Sequence, residues 1–134
     1  MNKPEKQLTE LEWELMNHIW AAEEEKVTVR DILERAYPDG GKAYTTIQTV
    51  MNTLVEKGFL SKEKIGLVNF YQPAKPREQV VQKEVGHFVH KVFRGSTPQF
   101  VKQFIDSSDL TREEIADLKR FIEAKESNIE EDPS

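Results

Sequence analysis

The stretch formed by residues 42–59 constrains the fold most, because it joins the pattern of an amphipathic helix to an unusual polar face. Its apolar residues recur at the spacing of one helical stripe, and they are Ile47, Val50, Met51, Leu54 and Val55. The opposite face is neutral and short-chained, and it consists of Thr45, Gln48, Thr49, Asn52 and Thr53. Solvent-facing helices normally use Lys and Glu, so this composition favours a surface that approaches base edges. A merely polar surface is the alternative interpretation at this point.

The residues after this helix predict a β-hairpin. Gly58 suits the left-handed conformation that ends many helices, and two strand-forming runs then flank Gly66 until Pro73 ends the second. Lys62 and Lys64 are two positions apart in the first run, which puts both on one side of a strand. From that side both lysines can contact phosphates.

Two predicted helices precede this stretch. Thr9 and Glu12 have the spacing of a capping box, which opens a helix that runs to about residue 22. Thr28 suits the cap of a second helix over residues 29–37, and the Pro-Asp-Gly-Gly sequence that follows ends it.

Three helices, a short one-bridge strand at residues 27–29 and a hairpin predict a mainly α fold with a winged helix-turn-helix domain over residues 1–75. In that arrangement the third helix enters the major groove of double-stranded DNA and the hairpin, or wing, lies along the backbone. The predicted DNA-binding residues are Lys42, Tyr44, Thr45, Thr46, Gln48, Thr49, Asn52, Thr53, Lys62 and Lys64. Thr46, Gln48 and Thr49 are predicted to read bases.

Residues 76–127 predict three more helices. The apolar spacing over Arg77–Phe93 is helical, a short helix is expected over residues 98–105 with Thr97 as its cap, and Thr111 and Glu114 form a second capping box. These helices are too short to sustain a core of their own, so their apolar faces need another surface. A second copy of the chain is favoured over packing on the first domain, because a two-fold homodimer also supplies two recognition helices.

The predicted dimerisation residues are Val81, Val85, Phe88, Val89, Val92, Phe100, Phe104, Ile115, Leu118 and Ile122. Residues 128–134 are expected to form a flexible acidic tail.

Composition limits the remaining functions. The chain has no cysteine, which excludes disulfides, thiolate zinc sites and cysteine nucleophiles. It has neither a signal peptide nor an apolar run long enough to span a membrane, so a cytoplasmic location is expected. The net charge of −5 is unusual for a nucleic-acid binder, but residues 42–75 carry five lysines against two glutamates. At physiological salt, interactions between exposed charges are screened beyond about 8 Å. The local charge of residues 42–75 therefore matters more for DNA binding than the net charge of the chain.

No arrangement of residues typical of an enzyme, a cofactor site or a small-molecule substrate site stands out in the sequence. Glu84, His87 and His90 have a helical spacing that could gather a metal ion, but a position beside the apolar stripe of a dimer helix is the favoured interpretation. A metal-sensing regulator and a winged-helix protein-interaction module without DNA binding are the alternative hypotheses.

Three motifs of the chain carry a resemblance to a known family. They are Leu8-Thr9-x-x-Glu12-x-x-x-Met16-x-x-x-Trp20, Tyr44-Thr45-Thr46-Ile47-x-Thr49 and Leu54-x-x-Lys57-Gly58-Phe59. In these motifs, and over residues 8–125 as a whole, the chain resembles the penicillinase-repressor (BlaI/MecI/CopY) family. The resemblance implies a homodimeric bacterial transcriptional repressor that binds an inverted-repeat operator and takes part in an antibiotic response.

The resemblance also implies how such a repressor is released from DNA. Copper-responsive members use a cysteine-rich motif, which this chain lacks. Other members are cut in the dimer region, at an Asn–Phe bond, by a membrane-bound sensor metalloprotease. The matching bond here is Gln103–Phe104, where glutamine replaces the family's asparagine. Thr53 likewise replaces an arginine that is common in the recognition helix.

Overall fold

The computed structural model describes residues 7–131, over which the chain is mainly α-helical. The elements in chain order are α1 (Glu10–Ala21), α2 (Val29–Ala36), α3 (Tyr44–Glu56), β1 (Leu60–Ile65), β2 (Val68–Pro73), α4 (Arg77–Phe93), α5 (Thr97–Ser107) and α6 (Arg112–Glu131). Three helices followed by an antiparallel hairpin form a winged helix, so the predicted fold class is confirmed.

The chain divides into two compact units between Val85 and Gly86, within α4. Val80, in the first turn of α4, is buried in the core of the first unit. The first unit therefore extends beyond residue 75, which was the predicted end of the DNA-binding domain.

α1 and α2 each begin with a capping box, in which the side chains of the N-cap residue and of the third helical residue accept from each other's backbone N–H. Thr9 Oγ1 accepts from the Glu12 backbone N–H at 3.2 Å, and the Thr9 N–H donates to Glu12 Oε1 at 2.7 Å. Thr28 caps α2 as predicted, and Asp31 completes a second box with distances of 3.1 and 2.9 Å. Both starts are thus fixed by residues that are neighbours in the sequence.

The end of α3 is a Schellman motif. Gly58 has a φ of +87°, its N–H donates to the Val55 carbonyl at 3.0 Å, and the Phe59 N–H donates to the Leu54 carbonyl at 2.9 Å. A residue with a Cβ adopts this backbone conformation at a cost, which explains the glycine. The predicted helix stop at Gly58 is confirmed.

The hairpin follows at once. Ile65 pairs with Val68 in the antiparallel register, which leaves a two-residue loop of Gly66 and Leu67. Gly66 has a φ of +65°. Two-residue hairpin loops need a positive φ at their first residue, and glycine adopts it without strain. Val27 adds the predicted one-bridge strand through two hydrogen bonds to Tyr71, of 2.9 and 2.7 Å.

The core of the first unit lies between the three helices and the hairpin. Its fully buried side chains include Leu15, Met16, Val27, Ile32, Ile47, Met51, Leu54 and Tyr71. The three that come from α3 belong to the predicted apolar stripe, and each is 0% exposed. Burial of this stripe turns the opposite, neutral face of α3 outward.

The second unit departs from prediction at two helix ends. Ser96, not Thr97, caps α5, because its Oγ accepts from the Gln99 N–H at 3.3 Å, while Thr97 is already helical. The predicted end near residue 105 was also wrong, since α5 continues to Ser107.

The capping box of α6 is confirmed, with both Thr111–Glu114 hydrogen bonds at 3.0 Å. The helix continues to Glu131, so residues 128–131 of the predicted tail are helical, and residues 132–134 lie outside the described part of the chain. Residues 112–131 contain neither Gly nor Pro and are rich in residues with high helix propensity, which explains the longer helix.

Candidate nucleic-acid interface

The outward face of α3 carries most of the residues predicted to bind DNA. On α3 itself, the exposed ones are Tyr44, Thr45, Thr46 and Thr49, and the half-buried ones are Gln48, Asn52 and Thr53. Lys42, two residues before the helix, is also exposed. Thr53 Oγ1 donates to the Thr49 carbonyl at 3.0 Å, so this hydroxyl proton is already used within the helix. No acidic residue stands on this face before Glu56 in the last turn. The surface therefore offers hydroxyl and amide groups without negative charge.

The start of α3 is bordered by a cation that sequence reasoning missed. The Arg30 guanidinium of α2 lies 5.9 Å from the centroid of the Tyr44 ring, within the range of a cation–π contact. Arg30 is exposed and follows the buried Val29 on α2. In a helix-turn-helix the first of the two helices crosses the DNA backbone. An arginine on α2 could therefore have been predicted from the sequence as a phosphate contact.

The wing is tied to α3 by a side-chain network. Asn52 Oδ1 accepts from the Tyr71 hydroxyl at 2.9 Å and from Lys62 Nζ at 3.2 Å. Tyr71 is 1% exposed, and burial raises the pKa of its phenol, with a smaller contribution from Tyr44. Lys64 is exposed on the same face of β1 as Lys62. The two predicted wing lysines therefore differ, since Lys62 is hydrogen-bonded to Asn52 of α3.

A partly buried ion pair lies at the other end of α3. Lys57 Nζ donates to Glu12 Oε1 at 2.7 Å and to the Gln7 carbonyl at 3.1 Å. The Glu12 side chain is 5% exposed and the Lys57 side chain 21%. Since Glu12 also belongs to the α1 capping box, one carboxylate links the start of α1 to the end of α3.

A family model described as penicillinase repressor matches residues 8–124 of the chain. The chain belongs to the penicillinase repressor family. The match spans both compact units, as the sequence resemblance implied.

The chain is also similar to two relatives and, in part, to one solved structure. The chain is 26% identical to the methicillin resistance regulatory protein MecI of Staphylococcus aureus strain N315, over 89% of this chain and 95% of that protein. It is 24% identical to the penicillinase repressor of Bacillus licheniformis, over 93% of this chain and 96% of that protein. A solution structure of the DNA-binding domain of the repressor BlaI has 26% identity and a TM-score of 0.47, and covers 57% of this chain and 90% of that domain.

In this member of the penicillinase repressor family, the predicted dimerisation residues differ in exposure. Those that are exposed are Val85, Phe88, Val92, Phe104, Ile115 and Ile122, those that are half-buried are Val81, Phe100 and Leu118, and Val89 is buried. Phe88, Phe93 and Phe100 form an aromatic cluster with centroid separations of 5.6–6.0 Å. Much of the apolar surface on α4, α5 and α6 is thus open to solvent in the single chain.

The predicted scissile bond, Gln103–Phe104, lies within α5. Phe104 is 46% exposed, and Lys102 pairs with Asp106 across one helical turn at 2.8 Å. The backbone on either side of this helix is not helical, with positive φ at Gly95 and an extended Ser108.

Two further observations concern the histidines and the membrane. Among residues 7–131, no group of three or more histidine or acidic side chains is placed to hold a metal ion. Glu84, His87 and His90 therefore do not form such a group. No helix in that same part of the chain combines the length and the apolar character needed to cross a membrane.

Proposed function

We propose that the chain is a sequence-specific DNA-binding repressor that acts as a homodimer on an inverted-repeat operator. The observation that carries the proposal is the outward face of α3, which has neutral hydroxyl and amide groups, no carboxylate before Glu56 and a lysine-bearing wing beside it. Membership of the penicillinase repressor family supports the same role.

In the proposed complex, α3 lies in the major groove, and Thr46, Gln48 and Thr49 contact base edges. The Gln48 amide can pair with adenine through one donor and one acceptor, and threonine methyl groups can pack on thymine methyl groups. An operator half-site that contains A·T pairs is therefore favoured. Lys64 and Lys42 supply charge for phosphates at the edge of this surface.

Gln48→Ala is expected to weaken binding to the operator by about 1–3 kcal/mol and to random duplex much less, because it removes a base contact and leaves the phosphate contacts. Equilibrium titrations of both duplexes at one salt concentration check this. Gln82→Ala is the matched control, because it makes the same change at an exposed position on α4 that lies outside the predicted interface. Equal weakening on both duplexes would show that Gln48 does not read sequence.

Lys64→Ala is expected to weaken binding to every duplex alike and to reduce the magnitude of the log–log salt slope by about one unit, because one phosphate contact is lost. Titrations at several salt concentrations measure this slope. Lys83→Ala, on α4 and outside the predicted interface, is the control. An unchanged slope in Lys64→Ala would mean that the wing does not contact phosphate at this residue.

The homodimer in this proposal is formed by the apolar surface of α4, α5 and α6. Exposed Phe88, Phe104, Ile115 and Ile122 are large apolar side chains on these three helices, and association removes them from water. A two-fold pair places two copies of α3 on two half-sites.

Release of the repressor in this proposal is proteolytic, through a cut at Gln103–Phe104 by a membrane-bound sensor metalloprotease. Proteases bind extended backbone, so the cut requires local opening of α5. A short helix, with irregular backbone at both ends, is suited to such opening, because short helices have little stability of their own.

A further inference from the structure

The side chain of Asn52 has a fixed orientation, and the chemistry of its neighbours determines which way it points. Its Oδ1 accepts from the Tyr71 hydroxyl at 2.9 Å and from Lys62 Nζ at 3.2 Å. A lysine ammonium has donors and no acceptor, so the terminal atom of Asn52 that faces it must be the oxygen and not the nitrogen. The buried Tyr71 and the wing residue Lys62 thus hold the amide from two sides.

This arrangement uses the whole accepting capacity of the amide. A carbonyl oxygen has two lone pairs, and two donors already approach the Asn52 oxygen. The two N–H donors are what Asn52 has left to offer. The usual bidentate pair between asparagine and adenine needs one donor and one acceptor, and Asn52 cannot form it without breaking the network.

We propose that Tyr71 and Lys62 make Asn52 a donor-only contact, which selects guanine at one position of each operator half-site and rejects adenine there. Guanine presents two acceptors, N7 and O6, in the major groove, whereas adenine presents a donor beside its N7. Tyr71 acts in this as a positioning residue, because its hydroxyl is directed at Asn52. The inference rests on the proposed DNA-binding function and specifies the base preference of that same surface.

Tyr71→Phe tests the inference with the smallest change, since it removes the hydroxyl and keeps the ring in the core. The full-length chain is first used to select an operator from random duplexes. The guanine in question is then located as the base whose replacement by adenine weakens the wild-type protein but not Asn52→Ala. Far-UV circular dichroism verifies that each variant is folded.

The expected result is a loss of discrimination. Wild type should prefer guanine over adenine by roughly 10-fold or more at that position, and Tyr71→Phe should reduce the preference severalfold because the amide can then rotate. In the Asn52→Ala background Tyr71→Phe should have no further effect on it. Lys62→Met should also reduce the preference for guanine. Lys64→Met, on the same strand face, should lower the affinity for DNA but leave the preference for guanine unchanged. Lys62→Met also carries the test if Tyr71→Phe does not fold.

Three results would overturn the inference and leave the proposed function intact. One is a wild-type protein that binds its selected operator with no guanine-dependent position traceable to Asn52. Another is an unchanged base preference in both Tyr71→Phe and Lys62→Met. The third is an equal effect of Tyr71→Phe in the wild-type and Asn52→Ala backgrounds. Failure of the wild-type chain to enrich any duplex would instead contradict the proposed function itself.

Discussion

A chain truncated after Gln103 is expected to be monomeric and to bind its inverted-repeat operator about 10²–10⁴-fold more weakly than the full-length protein. The truncation removes Phe104 and the whole of α6, including exposed Ile115 and Ile122. In the proposed dimer these side chains supply much of the apolar contact. Without them the two winged helices bind as independent monomers, and the second half-site is no longer met at a high effective concentration.

Sedimentation and operator titrations of the two chains measure this effect. A chain that ends at Lys125 is the matched control, because it keeps about four turns of α6 with Ile115, Leu118 and Ile122. This control should remain dimeric and bind nearly as well as the full chain. A chain ending at Gln103 that stays dimeric, or binds the operator like the full-length protein, would contradict both the proposed dimer surface and release by cleavage at this bond.

Lys57→Ala is expected to lower the free energy of unfolding by about 3 kcal/mol, because it leaves the Glu12 carboxylate buried without its cation. Glu12 retains the hydrogen bond from the Thr9 N–H, and Lys57 is itself partly exposed, so the loss should lie at the lower end of values for buried pairs. Urea unfolding followed by circular dichroism measures the change.

Lys102→Ala is the control for this second prediction. Lys102 also pairs with a carboxylate, that of Asp106, but the two side chains are 71% and 58% exposed. Removal of an exposed partner should cost less than about 0.5 kcal/mol. Equal losses of unfolding free energy in the two variants would show that burial of Glu12 does not make its ion pair with Lys57 more important for stability.

The parts of the fold that could be predicted from the sequence depend on residues close to one another in the chain. The box of Thr9 and Glu12, the cap at Gly58 and the turn at Gly66 are all set within a few residues. Their physical cause is local, since a cap satisfies backbone groups of the adjacent turn and a positive φ favours glycine wherever it occurs. The choice between Ser96 and Thr97 as the cap of α5 was not determined in this way, because adjacent residues of similar chemistry compete for the same N–H groups.

The parts that could not be predicted depend on tertiary packing. Glu12 and Lys57 are 45 positions apart, and Asn52 and Tyr71 are 19 apart, so their hydrogen bonds exist only once the helices and the hairpin have packed. The face of α3 predicted to contact DNA could be derived from periodicity alone. The internal use of Asn52 and Lys62 on that face could not, because it depends on where β1 and β2 lie against α3.

Equilibrium binding of the full-length chain to its selected inverted repeat and to random duplex, across a range of salt concentrations, tests the central claim most directly. The proposed function predicts tight binding to the inverted repeat, much weaker binding to random duplex, and a steep fall in both affinities as salt rises. The net charge of −5 makes this a demanding test, because the attraction must come from local lysines. Weak binding to both duplexes with little dependence on salt would contradict the claim, and would favour a winged-helix module that binds other proteins.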